Sequence, residues 1–481
     1  MPGEVPRFQR LRRGSCAMFL GLLLASCGGD DATMPEPDPV PPSPRLVDVI
    51  DCPDAPDLRC GYLEVPLDHA NPEGEALRLA VTMQRNTEAP RGVALWLDGG
   101  PGGAGAGLVQ DFREDMPPAL ADAYWWVGLN TRGTGATAID CPGLQAETGH
   151  SDILPGSASA LAQCVEVLGE NRRFYSTAAT VADLELLRQA LDAETWTLNG
   201  ISYGTYVASA YATAHPERVA RLVLDSPVPH TGLDPFNRPA LRTMPDFFEA
   251  ICDDEACPEN PLEVLAAAAA LEPKPIAVYD MLVGWDVSTP SVSELFQALQ
   301  KAGAGDRREL SGLLEAHLRE TTKLDHHVFS TGLHRATLCS DMIAPWGDSA
   351  TPMVGRAAAL EAASAAIDEA EFWPFDRASL LDNALIHDCL AWPPTPAGTQ
   401  RRDGLLPDVP TLILSGALDL STPMSEAYRQ WELAPGGRLV VIGDLGHGVQ
   451  GDWEGMANTT NFLCGEPYEY PMDPEVRWER C

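Results

Sequence analysis

Basic residues are scarce in this chain: 33 lysines and arginines face 69 aspartates and glutamates, a net charge of -36 over 481 residues. A surface this acidic repels a phosphate backbone, which sets nucleic acid aside as a partner. Long apolar runs are missing between residues 46 and 481, so no segment there reads as membrane-spanning. No C-x-x-C pair stands with matching histidines, which speaks against a zinc site. Asp325-His326-His327 is a conceivable metal cluster, but adjacent side chains point apart on most backbones. The stretch Gly99-Gly100-Pro101-Gly102-Gly103 is not followed by Gly-Lys-Ser/Thr, so it lacks the lysine of a phosphate-cradling loop. No internal repeat stands out.

What is present begins at the N terminus. Arg7, Arg10, Arg12 and Arg13 precede an apolar run at 17–25, the charge-then-apolar layout of a secretory signal. The run is too short to span a bilayer. It ends in Leu24-Ala25-Ser26-Cys27, which resembles the lipobox of bacterial lipoproteins. That resemblance implies a signal peptide at 1–26, with Cys27 as the lipid-bearing first residue of an envelope-anchored protein. Gly28 after the cysteine points to the outer membrane, and plain secretion after cleavage near Ser26 is the alternative. Residues 27–45 form a Pro-rich, acidic tether without apolar period. Of twelve cysteines, ten remain once Cys16 and Cys27 are set aside, an even number that suits an exported protein. Local pairing is the economical arrangement: Cys52–Cys60, Cys141–Cys164, Cys252–Cys257, Cys339–Cys389 and Cys464–Cys481. Each stabilises by roughly 2–4 kcal/mol if unstrained.

In the first half, apolar β-like runs alternate with helical stretches, the pattern of a mostly parallel sheet flanked by helices. Residues 93–97, 124–129, 195–199 and 219–224 read as strands. Val181, Leu184, Leu187 and Leu191 recur at helical spacing within 180–191. The strand rhythm is lost after Pro227. From 231 to 405 the chain is rich in alanine and leucine with helical period, as in 263–271 and 354–370, and strands return at 409–414 and 438–442. The expected class is therefore α/β, with a core in two parts, 46–230 and 406–481, and a helical cap at 231–405 between them.

Gly200-Ile201-Ser202-Tyr203-Gly204 sits between a strand-like and a helix-like run. In that context G-x-S-x-G reads as a nucleophile elbow, whose glycines let the strand reverse so that the hydroxyl projects from the turn. A serine nucleophile needs a base, and the base needs a partner to hold its tautomer. Asp419 lies just past one late strand, and His447 lies in the Gly-bounded loop after the next. The order Ser202, Asp419, His447 is that of an α/β-hydrolase. For the oxyanion, the N–H groups of Gly100 and of Tyr203, the residue after the nucleophile, are the expected donors.

These segments are accompanied by Cys60-Gly61-Tyr62-Leu63-Glu64-Val65-Pro66-Leu67-Asp68, Arg132-Gly133-Thr134-Gly135, His215-Pro216-Glu217-Arg218-Val219 and Asp388-Cys389-Leu390-Ala391-Trp392-Pro393. Together they resemble the tripeptidyl aminopeptidase and proline iminopeptidase group of α/β-hydrolases, over nearly the whole chain after the tether. The resemblance implies an α/β-hydrolase fold with a mostly parallel sheet and an inserted helical cap. It also implies a serine exopeptidase, using neither metal nor organic cofactor, that works through an acyl-enzyme on peptides with a free amino terminus. In that group the cap closes over the site and binds the substrate's ammonium group. Asp225, which follows the 222–224 strand, and Asp341 and Asp388, which adjoin cap cysteines, are the candidates to bind it. Two positions depart from the group: Asp98 stands where proline iminopeptidases usually have His, and Asn130 where many relatives have Asp. The alternatives are a carboxylesterase-type hydrolase, which uses the same machinery, and a lipid-anchored binding protein on a retired hydrolase scaffold.

Overall fold

The computed structural model describes residues 44–113, 116–252, 257–284, 292–396, 404–465 and 481. The expected signal peptide, Cys27 and the tether as far as residue 43 lie outside them. Nine strands are described: β1 (Leu46–Asp51), β2 (Leu58–Pro66), β3 (Ala76–Gln84), β4 (Val93–Leu97), β5 (Trp125–Leu129), β6 (Trp196–Ile201), β7 (Val219–Asp225), β8 (Thr411–Gly416) and β9 (Gly437–Ile442). They make one sheet in the order β1-β2-β3-β5-β4-β6-β7-β8-β9. The pairs from β5 through β9 are parallel, and the pairs joining β1, β2, β3 and β5 are antiparallel.

The sequence of β4, Val-Ala-Leu-Trp-Leu, is buried at every position, as a parallel strand covered on both faces must be. Successive side chains leave a strand on opposite sides. Leu95 and Leu97 join Leu184, Leu187, Tyr206 and Tyr211 of the helices Thr177–Ala190 and Tyr203–Ala214. Ala94 and Trp96 face the other way, toward Leu120 of the helix Pro118–Ala123 and Met456 and Leu463 of the helix Trp453–Cys464. Trp96 stacks between Phe112 and Trp126, at centroid distances of 4.5 and 5.3 Å. The antiparallel edge is an addition to the strands read from sequence. Its signal is present in β3, where buried Leu79, Val81 and Met83 alternate with less buried Arg78, Ala80 and Thr82.

Between β7 and β8 the chain is helical and divides into two parts. The helices Arg238–Cys252, Pro261–Ala269, Pro275–Val283 and Val292–Gly303 bury one face each in a cluster of their own, with Phe247, Phe248, Leu265, Tyr279, Phe296 and Leu299 at its centre. The helix Thr331–Asp341 is different. All its residues are buried, and Leu333, Ala336 and Leu338 belong to the core of the sheet.

Five disulfides join Cys52–Cys60, Cys141–Cys164, Cys252–Cys257, Cys339–Cys389 and Cys464–Cys481. This usage points to an oxidising, extracellular environment. Among the described residues no helix is long and apolar enough to cross a membrane.

Candidate active site

Ser202 ends β6 and caps the helix Tyr203–Ala214, with φ +55° and ψ -124°, a conformation costly for any residue bearing a Cβ. Its glycine neighbours make the turn possible. A Cβ on Gly200 would lie 2.5 Å from the Gly204 carbonyl, and one on Gly204 would lie 2.2 Å from Leu97 O. The Ser202 N–H donates to Asp225 O at 2.9 Å, which pins the elbow to β7.

Asp419 and His447 come from the loops after β8 and β9. The Asp419 carboxylate accepts from the N–H groups of Ser421 (2.8 Å) and Thr422 (2.9 Å), from Thr422 Oγ1 (2.8 Å) and from His447 Nδ1 (2.9 Å). Burial would raise its carboxyl, but His447 and the Thr422 hydrogen bonds outweigh burial and hold it below its ordinary value. Burial likewise opposes charge on His447, yet Asp419, Asp225 and Asp152 raise it to about 9. With Nδ1 held by Asp419, Nε2 is the ring nitrogen left to act as a base.

The loop after β4 closes on the elbow from the other side. A Cβ on Gly99 would lie 2.9 Å from Ser202 Cβ, so glycine there is a condition of the approach. Gly100 has φ +103°, and it lines one pocket with Ser202, Tyr203 and Asp152. Asp98 turns back on this loop, accepting the Gly99 N–H at 2.7 Å, and burial raises its carboxyl against that bond. Asn130 accepts the Ala106 N–H at 2.9 Å. Arg132 is a buried strut. It grips Asp183 through Nε (2.7 Å) and Nη2 (2.6 Å) and donates to Leu67 O and Phe174 O.

The three carboxylates expected at the substrate's ammonium group are instead internal fastenings, and this corrects the sequence reading. Asp225 accepts the N–H groups of Val449 (3.0 Å) and Gln450 (2.9 Å), fixing the His447 loop to β7. Burial pushes its carboxyl up against those bonds. Asp341 accepts from Thr177 N (2.7 Å) and Tyr203 Oη (3.0 Å). Asp388 accepts from Arg335 Nε (2.8 Å) and Gly156 N (3.1 Å). All three are fully or almost fully buried, and none lines the pocket. Asp325, His326 and His327 call for the opposite correction. Their ligand atoms lie within 4.8 Å of one another, because Asp325 accepts the His327 N–H at 2.9 Å and folds the turn to one side. His327 Nδ1 lies 2.8 Å from Gly135 O and donates to it.

The carboxylate the sequence reading missed is Asp152. Its side chain is 43% exposed, and Oδ1 lies 3.0 Å from His334 Nε2. Burial opposes its charge, but His334, Arg335 and His447 keep its carboxyl below the ordinary value. The other pocket acids are engaged: Asp234 with Arg238 at 2.7 Å and Glu426 with Arg429 at 3.4 Å. Among the described residues no lysine or arginine lies within ion-pair distance of Asp152. No local motif marks it; only the fold brings it to the pocket that Ser202 lines. Thr422 was also missed, and its place three residues after Asp419 is the kind of spacing that signals a side-chain-capped turn.

This geometry unites a serine on a strained elbow, a histidine held by a buried aspartate, and a glycine loop against the serine. A family model described as alpha/beta hydrolase fold matches residues 96–270. The tripeptidyl aminopeptidase of Streptomyces coelicolor is 28% identical over 458 residues, covering 82% of this chain and 78% of its own. Serine protease Hip1 of Mycobacterium tuberculosis is 25% identical over 418 residues, 76% of each chain. A solved structure described under novel epoxide hydrolases from hot-environment metagenomes aligns with 88% of this chain and 99% of its own, at 16% identity and a TM-score of 0.37. The chain has an α/β-hydrolase fold. Over most of its length it resembles tripeptidyl aminopeptidases and serine protease Hip1, which supports a serine hydrolase.

Proposed function

We propose that this protein is an exported serine exopeptidase that releases short peptides or amino acids from the free amino terminus of its substrates. Ser202 Oγ attacks the scissile carbonyl as His447 takes its proton. Asp419 holds the imidazole through Nδ1 and stabilises the imidazolium that forms. The N–H groups of Gly100 and Tyr203 receive the oxyanion. His447 then returns the proton to the leaving amine, and water releases the acyl group by the reverse steps. Anchoring to the cell envelope through a lipid on Cys27 completes the proposal, and the five disulfides support export.

One observation carries the exopeptidase reading over the esterase one. Asp152 keeps its charge in the pocket of Ser202 without a lysine or arginine partner. His334 Nε2 stands 3.0 Å from one oxygen of that carboxylate, and its exposed remainder can accept a peptide's α-ammonium group, which a simple ester lacks. The test is hydrolysis by the purified protein lacking residues 1–27, using peptide aminocoumarins of one to three residues, free and N-acetylated, beside a p-nitrophenyl ester. Free peptides should be cleaved and acetylated ones spared. Asp152→Asn should lose roughly 10–100-fold in kcat/KM on the free peptides, the worth of one charged hydrogen bond. Ester cleavage without peptide cleavage would make the protein a carboxylesterase.

A further inference from the structure

Six of the eleven residues of the Thr331–Asp341 helix are polar, yet the whole helix is buried. Buried polar groups must find partners, and the partners here show what the helix holds. Thr331 donates to Gly149 O at 2.6 Å and Thr337 to Tyr175 O at 3.1 Å. Arg335 grips Asp388 and donates to Ser151 O and Leu154 O. Two further bonds reach the active site. His334 Nδ1 lies 2.8 Å from Pro101 O, in the glycine loop. Asp341 Oδ2 accepts from Tyr203 Oη at 3.0 Å. Burial and the Asp341 charge hold the Tyr203 phenol well above its usual range, so it stays a donor to that carboxylate.

His334 and Asp341 are seven residues apart, close to two full turns, and so share a face of the helix. We propose that this helix sets the spacing of the two oxyanion donors, with His334 and Asp341 as positioning residues, one for each donor. His334 fixes the residue after Gly100, and Asp341 fixes the side chain of Tyr203. The inference rests on the serine-hydrolase reading of Ser202 and is independent of whether peptides or esters are cleaved.

The physical need is plain. The two donors belong to loops after different strands, β4 and β6, and an N–H stabilises an oxyanion only within about 2.7–3.1 Å of where that oxygen will sit. Gly100 at φ +103° and Gly102 at φ +125° have no side chains to stiffen their loop. Its direction is imposed from outside. Ser330, at the start of the helix, donates its N–H to Gly102 O at 3.0 Å, and Val328 O accepts the Ala104 N–H at 3.1 Å. The Phe329 ring lies where a Cβ on Gly100 would come within 2.9 Å of it. The helix is in turn tied to the helix Ala384–Ala391 by Arg335–Asp388 and by Cys339–Cys389.

The test compares His334→Gln, His334→Leu, Asp341→Asn and Tyr203→Phe in the purified protein, each checked for folding by circular dichroism and thermal melting. A peptidyl trifluoromethyl ketone, whose adduct with serine carries an oxyanion, is titrated alongside turnover. For Asp341→Asn and Tyr203→Phe we expect kcat to fall about 10–100-fold with KM held within about twofold, and ketone affinity to fall in parallel. Because His334 Nε2 also lies 3.0 Å from Asp152, the His334 variants are read on a p-nitrophenyl ester, which carries no ammonium group. The ascending limb of the pH profile should stay in place, because His447 and Asp419 are untouched. His334→Gln keeps an N–H able to reach Pro101 O and should retain more activity than His334→Leu. Folded variants with wild-type kcat and ketone affinity overturn the proposal. So does a loss confined to KM, or a fall in kcat without a fall in ketone affinity. If Asp341→Asn does not fold, Tyr203→Phe, which removes one hydroxyl, decides the same point. Ser202→Ala separates the levels: turnover in that variant would defeat the serine-hydrolase reading itself, whereas an inactive Ser202→Ala beside normal helix variants would defeat only the positioning role.

Discussion

Two parts of the segment between β7 and β8 are both helical, and they are held by different physics. In the Arg238–Cys252 and Val292–Gly303 helices, one apolar face turns inward, where Phe248 packs against Phe296 at 5.5 Å. Their outer faces carry exposed pairs such as Arg242–Glu371 and Lys301–Glu309. Burial of that kind is non-directional, and such cores tolerate substitutions that keep volume. The Thr331–Asp341 helix has no outer face. It is held by bonds of fixed direction from Thr331, His334, Arg335, Thr337 and Asp341, each to a particular partner. Apolar burial makes a cover over a site; directional bonds set the site to fractions of an ångström.

The sharpest way to break this comparison is Arg335→Met. It removes a cation from a buried pair and leaves Asp388 charged in the interior, at a cost of about 3–5 kcal/mol. Phe296→Leu in the apolar cluster should cost less than half of that and leave kcat unchanged. Chemical denaturation beside kcat reads both, and equal costs would erase the distinction. Next in size are two disulfides. Cys339–Cys389 spans 50 residues and ties down the polar helix, whereas Cys252–Cys257 spans 5 at the end of an amphipathic one. Replacing the first pair by serine should cost roughly 2–4 kcal/mol and lower kcat. Replacing the second should cost less and spare turnover. Loss of kcat from the second pair alone would reverse the roles.

A third test probes the triad by pH. His447 is raised from 6.5 to about 9 in the folded protein. A raised histidine contributes stability that is fully present below its unfolded value and is lost as pH climbs toward 9. The same histidine acts as a base only when neutral, so kcat/KM should rise over that same window. Asp419, held low, contributes above its ordinary value of 3.8, and that contribution is lost as pH falls below it. Between about pH 6.5 and 9 activity and stability should therefore move in opposite directions. A pH–rate series beside a pH–melting series checks this, and parallel trends would refute it.

Much of this molecule was legible in order along the chain. The parallel strands β4 to β9 are short and largely apolar, and the loops after them carry Gly100, Ser202, Asp419 and His447. Strand, elbow and triad order are local signals, because each depends on residues within a few positions of one another. The five cysteine pairs were readable for a related reason: an even set of ten cysteines, paired with near neighbours along the chain, leaves few sensible alternatives.

The acids show where that legibility stops. Asp225, Asp341 and Asp388 looked available from their neighbours in sequence, yet Asp341 is satisfied by Thr177 and Tyr203, 164 and 138 positions away. Asp152 carried no signal at all, yet it shares a pocket with Ser202, as those three do not. Asp325, His326 and His327 came together through a turn that no spacing rule foresaw. By itself the sequence determined the parallel strands, the elbow and the order of the triad candidates, since backbone propensity and strand-end position are written locally. Which carboxylate lines the pocket of Ser202, and which helix bonds to Pro101 and Tyr203, only the tertiary structure decided. A polar side chain's role depends on whether distant segments leave it partnered in the interior or facing the pocket.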